Sequence, residues 1–592
     1  MTTDSPGRVA VTVTGRLAAL NAAGFLDGTD VVVAKRIARL VGEGEDDAVL
    51  ALAFAVRAAR EGSSALHLDA IARLTPRLPG GDAKDDADEV AEVTAPGDLA
   101  DLPEPAAWLE AVQRSRLAAA GVLRVEFGLV QLDRYQQDEV LVANWLDRRS
   151  PDGLKGVDSG ALEQGISGGG LNEAQAAAVR AVAARATTVL TGGPGTGKTW
   201  TVAALLRALR FADGSIPRVA LAAPTGKAAA RMNEALESRL GAGVFDPAVT
   251  IHRLLGPLPR TTTRFRHDRA NPLPHDVVVV DEASMVGLGL MARLVDALSP
   301  ETRLLLVGDP EQLASVEAGT VLADLVRGLG PHADVVELTE NRRSVPAIQE
   351  LARAVRSGEP EEVLAILEAS HAEVRFIDTD QPTLADLVAV TEQARALREL
   401  AIAGDLSAAV ARLSEARLLC GRRSGPHGIR RWNRLVEQAL TEHAPEVAYQ
   451  PFYLGRPLMV TRNDHGLGLS NGDTGVVVRG VDGNPLAAIL TGQGIQTFSP
   501  WRLADVETMH AMTVHKAQGS EANDVTVILP PLISRLLTRE LLYTATTRAK
   551  ARLTVIGSRE AIRAAVTTPI ERSSALTERL LERAPIRGGT QR

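Results

Sequence analysis

Eight consecutive residues, Gly192-Gly193-Pro194-Gly195-Thr196-Gly197-Lys198-Thr199, fit the spacing G-x-x-x-x-G-K-[ST]. An apolar run, Thr188–Thr191, precedes them and a helical pattern, Trp200–Leu209, follows, which is the context this spacing requires. Glycines there let backbone N–H groups wrap a phosphate without Cβ clashes, and a helix N-terminus adds partial positive charge. Lys198 then reaches the β- and γ-phosphates, and the Thr199 hydroxyl is placed for Mg2+. Further on, the run Val277–Val280 ends in Asp281-Glu282, so that Asp281 would hold the metal and Glu282 would polarise an attacking water. Alone, such a pair is more often a solvated strand end or a helix cap; after a phosphate loop the catalytic reading is the better one. A third run, Leu304–Val307, leads into Gly308-Asp309-Pro310-Glu311-Gln312-Leu313. Gln312 could sense the γ-phosphate and Asp309 could support the metal shell, although a plain turn accounts for that stretch equally well. The chemistry these residues share is ATP hydrolysis with Mg2+.

Those residues need a scaffold. The apolar runs Thr188–Thr191, Val219–Ala223, Val277–Val280, Leu304–Val307 and Val335–Leu338 alternate with helical stretches, as in a parallel sheet covered on both faces. A second set follows at Val374–Ile377, Arg417–Cys420, Val525–Leu529 and Leu553–Ile556. Between Gly455 and Arg502 short β-like runs are punctuated by Asn471-Gly472, Asp482-Gly483 and Gly492–Gly494, which read as hairpin turns of a small β insertion. Residues 1–150 read as mostly helical, around Val31–Val41, Asp46–Arg60 and Trp108–Ala120, with a loop at Pro79–Pro105. Asp152–Gly170 reads as a glycine-rich linker, and Leu171 opens a helix with Asn172 as its N-cap. The segment Ile166–Gly170 precedes the phosphate loop, which argues against the signature of an ABC transporter. The tail after Gly557 reads as helical, then basic and flexible.

A chain of 592 residues suggests roughly four domains. With 45% hydrophobic and 23% charged residues it is globular rather than disordered. The one cysteine, Cys420, excludes an internal disulfide framework, an all-cysteine zinc site and a four-cysteine iron–sulfur cluster. The N-terminus lacks the pattern of a signal peptide, and the apolar stretch Ala48–Val56 is too short to span a bilayer, so a soluble cytoplasmic protein is expected. The net charge of −8 is uneven: residues 1–150 hold 16 basic and 24 acidic side chains, which leaves 49 of each sign for the rest. The acidic quarter is a poor DNA surface and a plausible docking surface, while the neutral remainder can carry local basic patches.

Taken in order, the motifs resemble superfamily 1 helicases, most closely the RecD family of exodeoxyribonuclease V (RecBCD) subunits. The resemblance runs from about Leu171 to Gly557. Gln175 resembles an adenine-contacting glutamine. Ala223–Ala229 resembles a motif lining a single-strand channel, and Thr250–Gly256 its DNA-contacting neighbour. Leu338–Ser344 resembles an Asn-Tyr-Arg-Ser stretch, which makes Arg343 the matching arginine, with Arg342 in place of the usual aromatic. Arg430-Arg431-Trp432-Asn433, Met459–Asp464, Leu469–Gly475, Ala511–Glu521 and Leu542–Ala549 complete the set.

The resemblance implies two RecA-like P-loop motor domains in tandem, an SH3-like β insertion in the second, and a mostly helical N-terminal domain. The expected bounds are 1–150 for a partner-binding domain, 151–334 for the first motor domain, 335–454 and 506–592 for the second, and 455–505 for the insertion. It also implies a 5′→3′ DNA helicase that works with RecB and RecC on double-stranded ends during recombinational repair. Catalysis would fall to Lys198, Glu282, Gln312, Arg343 and Arg548, nucleotide contact also to Gln175, Gly519 and Glu521, and metal binding to Thr199 and Asp281. DNA would meet Thr225, Lys227, His252, Asn433, Thr513, His515 and Lys516. The residues after Gln312, Ala314-Ser315-Val316, lack the tryptophan usual in 3′→5′ relatives. Trp501 and Tyr543 are candidates for base stacking, with a scaffold role at least as plausible for each. Two other readings stay open: a free-standing 5′→3′ helicase, and a DNA-binding scaffold without ATPase activity.

Overall fold

The computed structural model describes residues 14–74, 101–147 and 154–583, apart from 242, 259–260, 262–263, 331–333, 342–343, 370 and 465. The loop expected at Pro79–Pro105 therefore lies largely outside the described residues. The chain opens with helices Arg16–Ala22, Gly28–Val41 and Asp46–Arg60. Gly28–Val41 starts with a capping box between Asp27 and Asp30, and Asp46–Arg60 buries a run from Ala48 to Ala55. Trp108, on helix Pro105–Arg114, packs edge-on against Phe54 at 6.4 Å and donates its indole N–H to Asp47 O over 2.8 Å. The expected helix Trp108–Ala120 is broken, because Ser115 ends Pro105–Arg114 and caps a short new helix, Arg116–Ala119. A hairpin follows that the sequence reading missed: β1 (Leu123–Glu126) and β2 (Leu129–Leu132). Its turn places Phe127 at φ 53° and Gly128 at φ 73°, and a phenylalanine is an unusual residue for that conformation.

The expected linker Asp152–Gly170 contains a helix, Ser159–Gly168. Asp158 caps it by accepting from Gly160 and Ala161 N–H, and Leu162 and Ile166 are buried. Gly165 lies against Ala208, too near to leave room for a Cβ, so a glycine that reads as flexibility serves close packing.

The next strands are β3 (Thr187–Gly192), β4 (Val219–Ala223), β5 (Val249–Thr250), β6 (Val277–Val280), β7 (Arg303–Gly308) and β8 (Val335–Leu338). They form one parallel sheet in the order β5-β4-β6-β7-β3-β8. Alternate residues serve opposite faces: Leu221, Val277, Val279 and Leu305 enter one core, and Ala220, Val278, Val280 and Leu304 the other. Since β8 pairs with β3, the first unit runs to Leu338 and does not end at 334. Helix Asp133–Asp147, expected in the N-terminal domain, also puts Val142 and Ala143 into this unit's core.

Then come β9 (Val374–Asp378), β10 (Ala416–Cys420), β11 (Pro457–Val460), β12 (Thr474–Arg479), β13 (Pro485–Thr491), β14 (Gly494–Phe498), β15 (Val506–Thr508), β16 (Ala511–Thr513), β17 (Ala522–Ile528) and β18 (Ala549–Gly557). A second parallel sheet has the order β16-β10-β17-β18-β9. Between β10 and β16 the antiparallel sheet β14-β13-β12-β11-β15 forms the insertion. Because β15 pairs with β11, the insertion extends past 505 to Thr508. The tail is helical as expected, with helices Arg559–Thr567 and Leu576–Arg583, and its basic end lies outside the described residues; what the sequence did not convey is where the last helix packs. Helix Leu576–Arg583 returns to the first unit, where Leu576 and Leu580 join its core. Among the described residues no helix is long and apolar enough to cross a membrane.

Candidate active site

The phosphate loop joins β3 to helix Lys198–Ala208. Gly195 and Gly197 hold φ of 80° and 89°, left-handed values that disfavour a side chain. The Thr196 hydroxyl donates to Gly193 O over 2.9 Å, and the Lys198 ammonium folds back onto Gly192 O and Gly193 O at 2.6 and 2.9 Å. The loop is thus a glycine-lined cradle whose lysine is held by carbonyls that a phosphate would outcompete. Pro194 and Thr199 are partly exposed.

Gln175 sits behind the cradle. Asn172 caps its helix, as expected, and forms a capping box with it; the Gln175 amide N–H donates to Thr196 O over 3.3 Å while its oxygen accepts from Asn172 N–H at 3.1 Å. A side chain at Gly197 would strike this amide. Gln175 therefore shapes the loop, with its carbonyl oxygen already engaged.

Asp281 closes β6 and accepts from Glu282 N–H over 2.9 Å. Burial, and then the neighbouring Glu282 carboxylate, raise its pKa to about 6, against the pull of Lys198. Glu282 holds φ 52° although it is not glycine, a strained conformation of a kind that clusters at working sites. Asp309, offered as metal support, is otherwise occupied. One oxygen accepts from the Gln312 amide and from the Tyr543 hydroxyl, each at 3.0 Å, and the other from Glu311 N–H at 3.1 Å.

These contacts cross between the two units. The Thr544 hydroxyl accepts from Leu313 N–H at 2.9 Å, and the Gln518 amide donates to Leu313 O at 2.6 Å. The Tyr543 hydroxyl lies 3.1 Å from where a Cβ on Gly193 would stand, and a Cβ on Gly519 would lie 3.8 Å from Glu282 Oε1. Tyr543 is thus buried over the phosphate loop, in keeping with the scaffold role. Arg548 is buried beside the same seam and donates to Thr544 O over 3.0 Å. Glu521 pairs with Lys550 at 3.5 Å. Arg343 lies outside the described residues.

Sequence reasoning passed over Arg231, one turn beyond Lys227 on helix Gly226–Leu240. Burial draws its pKa down and Arg548 adds to the fall, while Glu521 and Glu282 oppose it. The i, i+4 spacing from Lys227 was the available signal.

The DNA candidates divide. Thr225 and Thr513 spend their hydroxyls as N-caps, accepting from Ala228 and Lys516 N–H. Lys227 lies under the insertion, its Cδ 3.7 Å from a Cβ placed on Gly472, and burial with Arg231 and Arg417 lowers its pKa to about 7. His252 is exposed and leans on Phe265 at 5.9 Å. Asn433 is corrected: its amide donates to Thr508 O at 3.1 Å and accepts from Ala511 N–H at 2.8 Å, so it clamps the link between β15 and β16. His515 is held below its ordinary pKa by burial and by Arg572. Lys516 pairs with Glu507 at 3.4 Å, and Trp501, packed edge-on against Phe452, is 72% exposed.

Three family models match the chain: an AAA domain over residues 170–379, a UvrD-like helicase C-terminal domain over 508–556, and the RecBCD enzyme subunit RecD, N-terminal domain, over 22–124. RecBCD enzyme subunit RecD of Mycolicibacterium smegmatis is 46% identical over 576 residues, covering 94% of this chain and 98% of that protein. The chain belongs to the RecD family. The ATP-dependent RecD2 DNA helicase of Deinococcus radiodurans is 32% identical over 418 residues, but the match covers 69% of this RecD-family chain and only 52% of that protein. A solved Pif1 helicase from Bacteroides, in complex with ADP-AlF3 and ssDNA, overlaps with a TM-score of 0.37 at 18% identity, covering 66% of this chain and 94% of its own. In this RecD-family chain the AAA match begins just ahead of the Asn172 cap and ends just past β9.

Proposed function

We propose that this chain is the ATP-dependent 5′→3′ helicase subunit of a RecBCD complex, unwinding double-stranded DNA ends for recombinational repair. The near end-to-end match to RecBCD enzyme subunit RecD carries the reading. The RecD2 match, which reaches only about half of that helicase, favours the complex over a free-standing motor.

Each residue has a task in this reading. The cradle from Gly192 to Gly197 and Lys198 bind the phosphates of ATP. Thr199 and Asp281 offer two hard oxygen ligands, which suits Mg2+ shared with the phosphates. The ion would supply charge neutralisation at the phosphoryl oxygens. Glu282 orients water, and Gln312, on its hydrogen-bonded loop, registers the γ-phosphate. Arg548 delivers positive charge from the second unit, as does Arg343 by its motif match, while Arg231 faces the same seam from the first. Lys227, His252, His515 and Lys516 line the path of a single strand through contacts to its backbone. The antiparallel sheet β11–β15 acts as an SH3-like element over that path, and the acidic N-terminal residues dock RecB and RecC.

The test has two arms. Full-length chain co-expressed with RecB and RecC is expected to co-purify with them, and Lys198→Ala is expected to abolish its DNA-stimulated ATP hydrolysis. A monomeric chain with full helicase activity alone would hand the case to the free-standing reading. Unchanged turnover in Lys198→Ala would remove the motor.

A further inference from the structure

The loop that follows Gln312 is gripped by the C-terminal segment and by the N-terminal part of the chain. Arg572, on the segment leading to the C-terminal helix, donates to Ser315 O at 2.5 Å and to Glu317 O at 3.3 Å. Its guanidinium lies beneath the turn that ends helix Asp46–Arg60 in the N-terminal part of the chain. A Cβ placed on Gly62, whose φ is 95°, would stand 2.7 Å from Arg572 Cζ. The same turn reaches the loop directly, since Gly319 N–H donates to Gly62 O over 2.9 Å. The strap is fastened on both sides. Ser64 and Ala65 N–H donate to Ser573 O at 3.0 Å, Ser573 N–H donates to the Ser63 hydroxyl at 3.2 Å, and Arg535 pairs with Glu61 at 3.0 Å. At its other end the held loop meets the second unit through Leu313, Thr544 and Gln518.

We infer that Arg572 is a positioning residue through which the N-terminal region sets the phosphate-sensing loop Gln312–Gly319, so that a protein docked on that region adjusts the motor. The geometry explains three features. Arg572 places a charged group on two backbone carbonyls of the loop, of which Glu317 O also accepts from the Ser315 hydroxyl at 3.0 Å. Gly62 is left-handed and short of space, so a residue without a side chain is needed where the turn meets the guanidinium. The neighbouring residues of both segments are hydrogen-bonded to one another, so neither moves alone.

The inference rests on the helicase reading only for its motor readout, so the experiment pairs that readout with a structural one. Full-length chain, Arg572→Ala, Arg572→Lys, Gly62→Ala and the Arg572→Ala/Gly62→Ala pair are compared by hydrogen exchange over residues 309–319 and by DNA-stimulated ATPase. Arg572→Ala is expected to speed exchange at the loop and to lower kcat about tenfold, with KM for ATP changed less than twofold. Gly62→Ala should reproduce both effects although it lies outside the motor. The double variant should add little to either single one, as coupled sites do, and Arg572→Lys should recover part of the loss. Unchanged exchange at the loop in Arg572→Ala, or full additivity of the two substitutions, overturns the inference. An unsubstituted chain with no DNA-stimulated turnover would count against the helicase reading, and the exchange data would still decide the role of Arg572.

Discussion

Lys227 shows how little of a side chain's behaviour its motif conveys. In sequence it is the lysine of a DNA-contacting stretch; in the fold it lies beneath a turn of the insertion, with Arg231 and Arg417 near it and its pKa lowered to about 7. A DNA phosphate beside it would restore the charge and raise that pKa. The bound state then holds more protons than the free state above about pH 7, so affinity for a single strand falls as pH rises. Titration calorimetry in buffers of different ionisation heat is expected to detect proton uptake near pH 8, and Lys227→Ala to abolish it; binding without uptake would contradict this placement. The phosphate-loop residues were legible because their chemistry depends on neighbours in sequence. Arg231, Tyr543 and Asn433 were less so, because their partners lie far along the chain: Glu282 and Glu521 for the first, Asp309 for the second, Thr508 and Ala511 for the third.

The insertion is the element that the turn signals located best, since Asn471-Gly472 and Asp482-Gly483 fall between its strands. What they could not convey is which turns touch the first unit. Methyl groups placed on Gly226 and Gly492 would lie 3.1 Å from Ser470 Oγ and 3.3 Å from Ala230 Cβ, so two turns of the insertion rest on helix Gly226–Leu240. Within the sheet, Gly475 on β12 faces Ala488 O so closely that a Cβ would collide with it, and the Ile489 Cα would be 2.8 Å away. Backbone atoms of a neighbouring strand cannot yield as a flexible side chain can. Gly475→Ala is therefore expected to loosen β12–β13, weakening single-strand affinity severalfold while leaving ATP affinity unchanged. Oligonucleotide anisotropy and nucleotide binding on the same sample check this. The hairpin β1–β2 was missed because its turn uses a phenylalanine at positive φ, where local preference gives way to tertiary packing.

At the scale of the whole molecule the chain closes on itself. Glu139 is fully buried and accepts from the hydroxyls of Ser64 and Ser574, from Ala575 N–H, from Gln131 and from Arg579. N-terminal, first-unit and C-terminal segments thus share one polar knot, which no local pattern of charge could announce. Removing one partner of a buried pair leaves an uncompensated charge, so Arg579→Ala should cost about 3–5 kcal/mol. Denaturant unfolding measures it, and a loss well under 1 kcal/mol would mean that the knot is not what joins these segments. Apart from that knot, Asp309 and Leu313 of the first unit meet Tyr543, Thr544 and Gln518 of the second, and the central claim is that each side supplies part of the catalyst. The most direct test is ATP turnover and ATP affinity of Arg548→Ala, measured on the same preparation with saturating single-stranded DNA. Turnover reduced by about 10³-fold or more, with affinity held within a few-fold, is the predicted result; undiminished turnover in a folded variant would contradict a site completed from both sides.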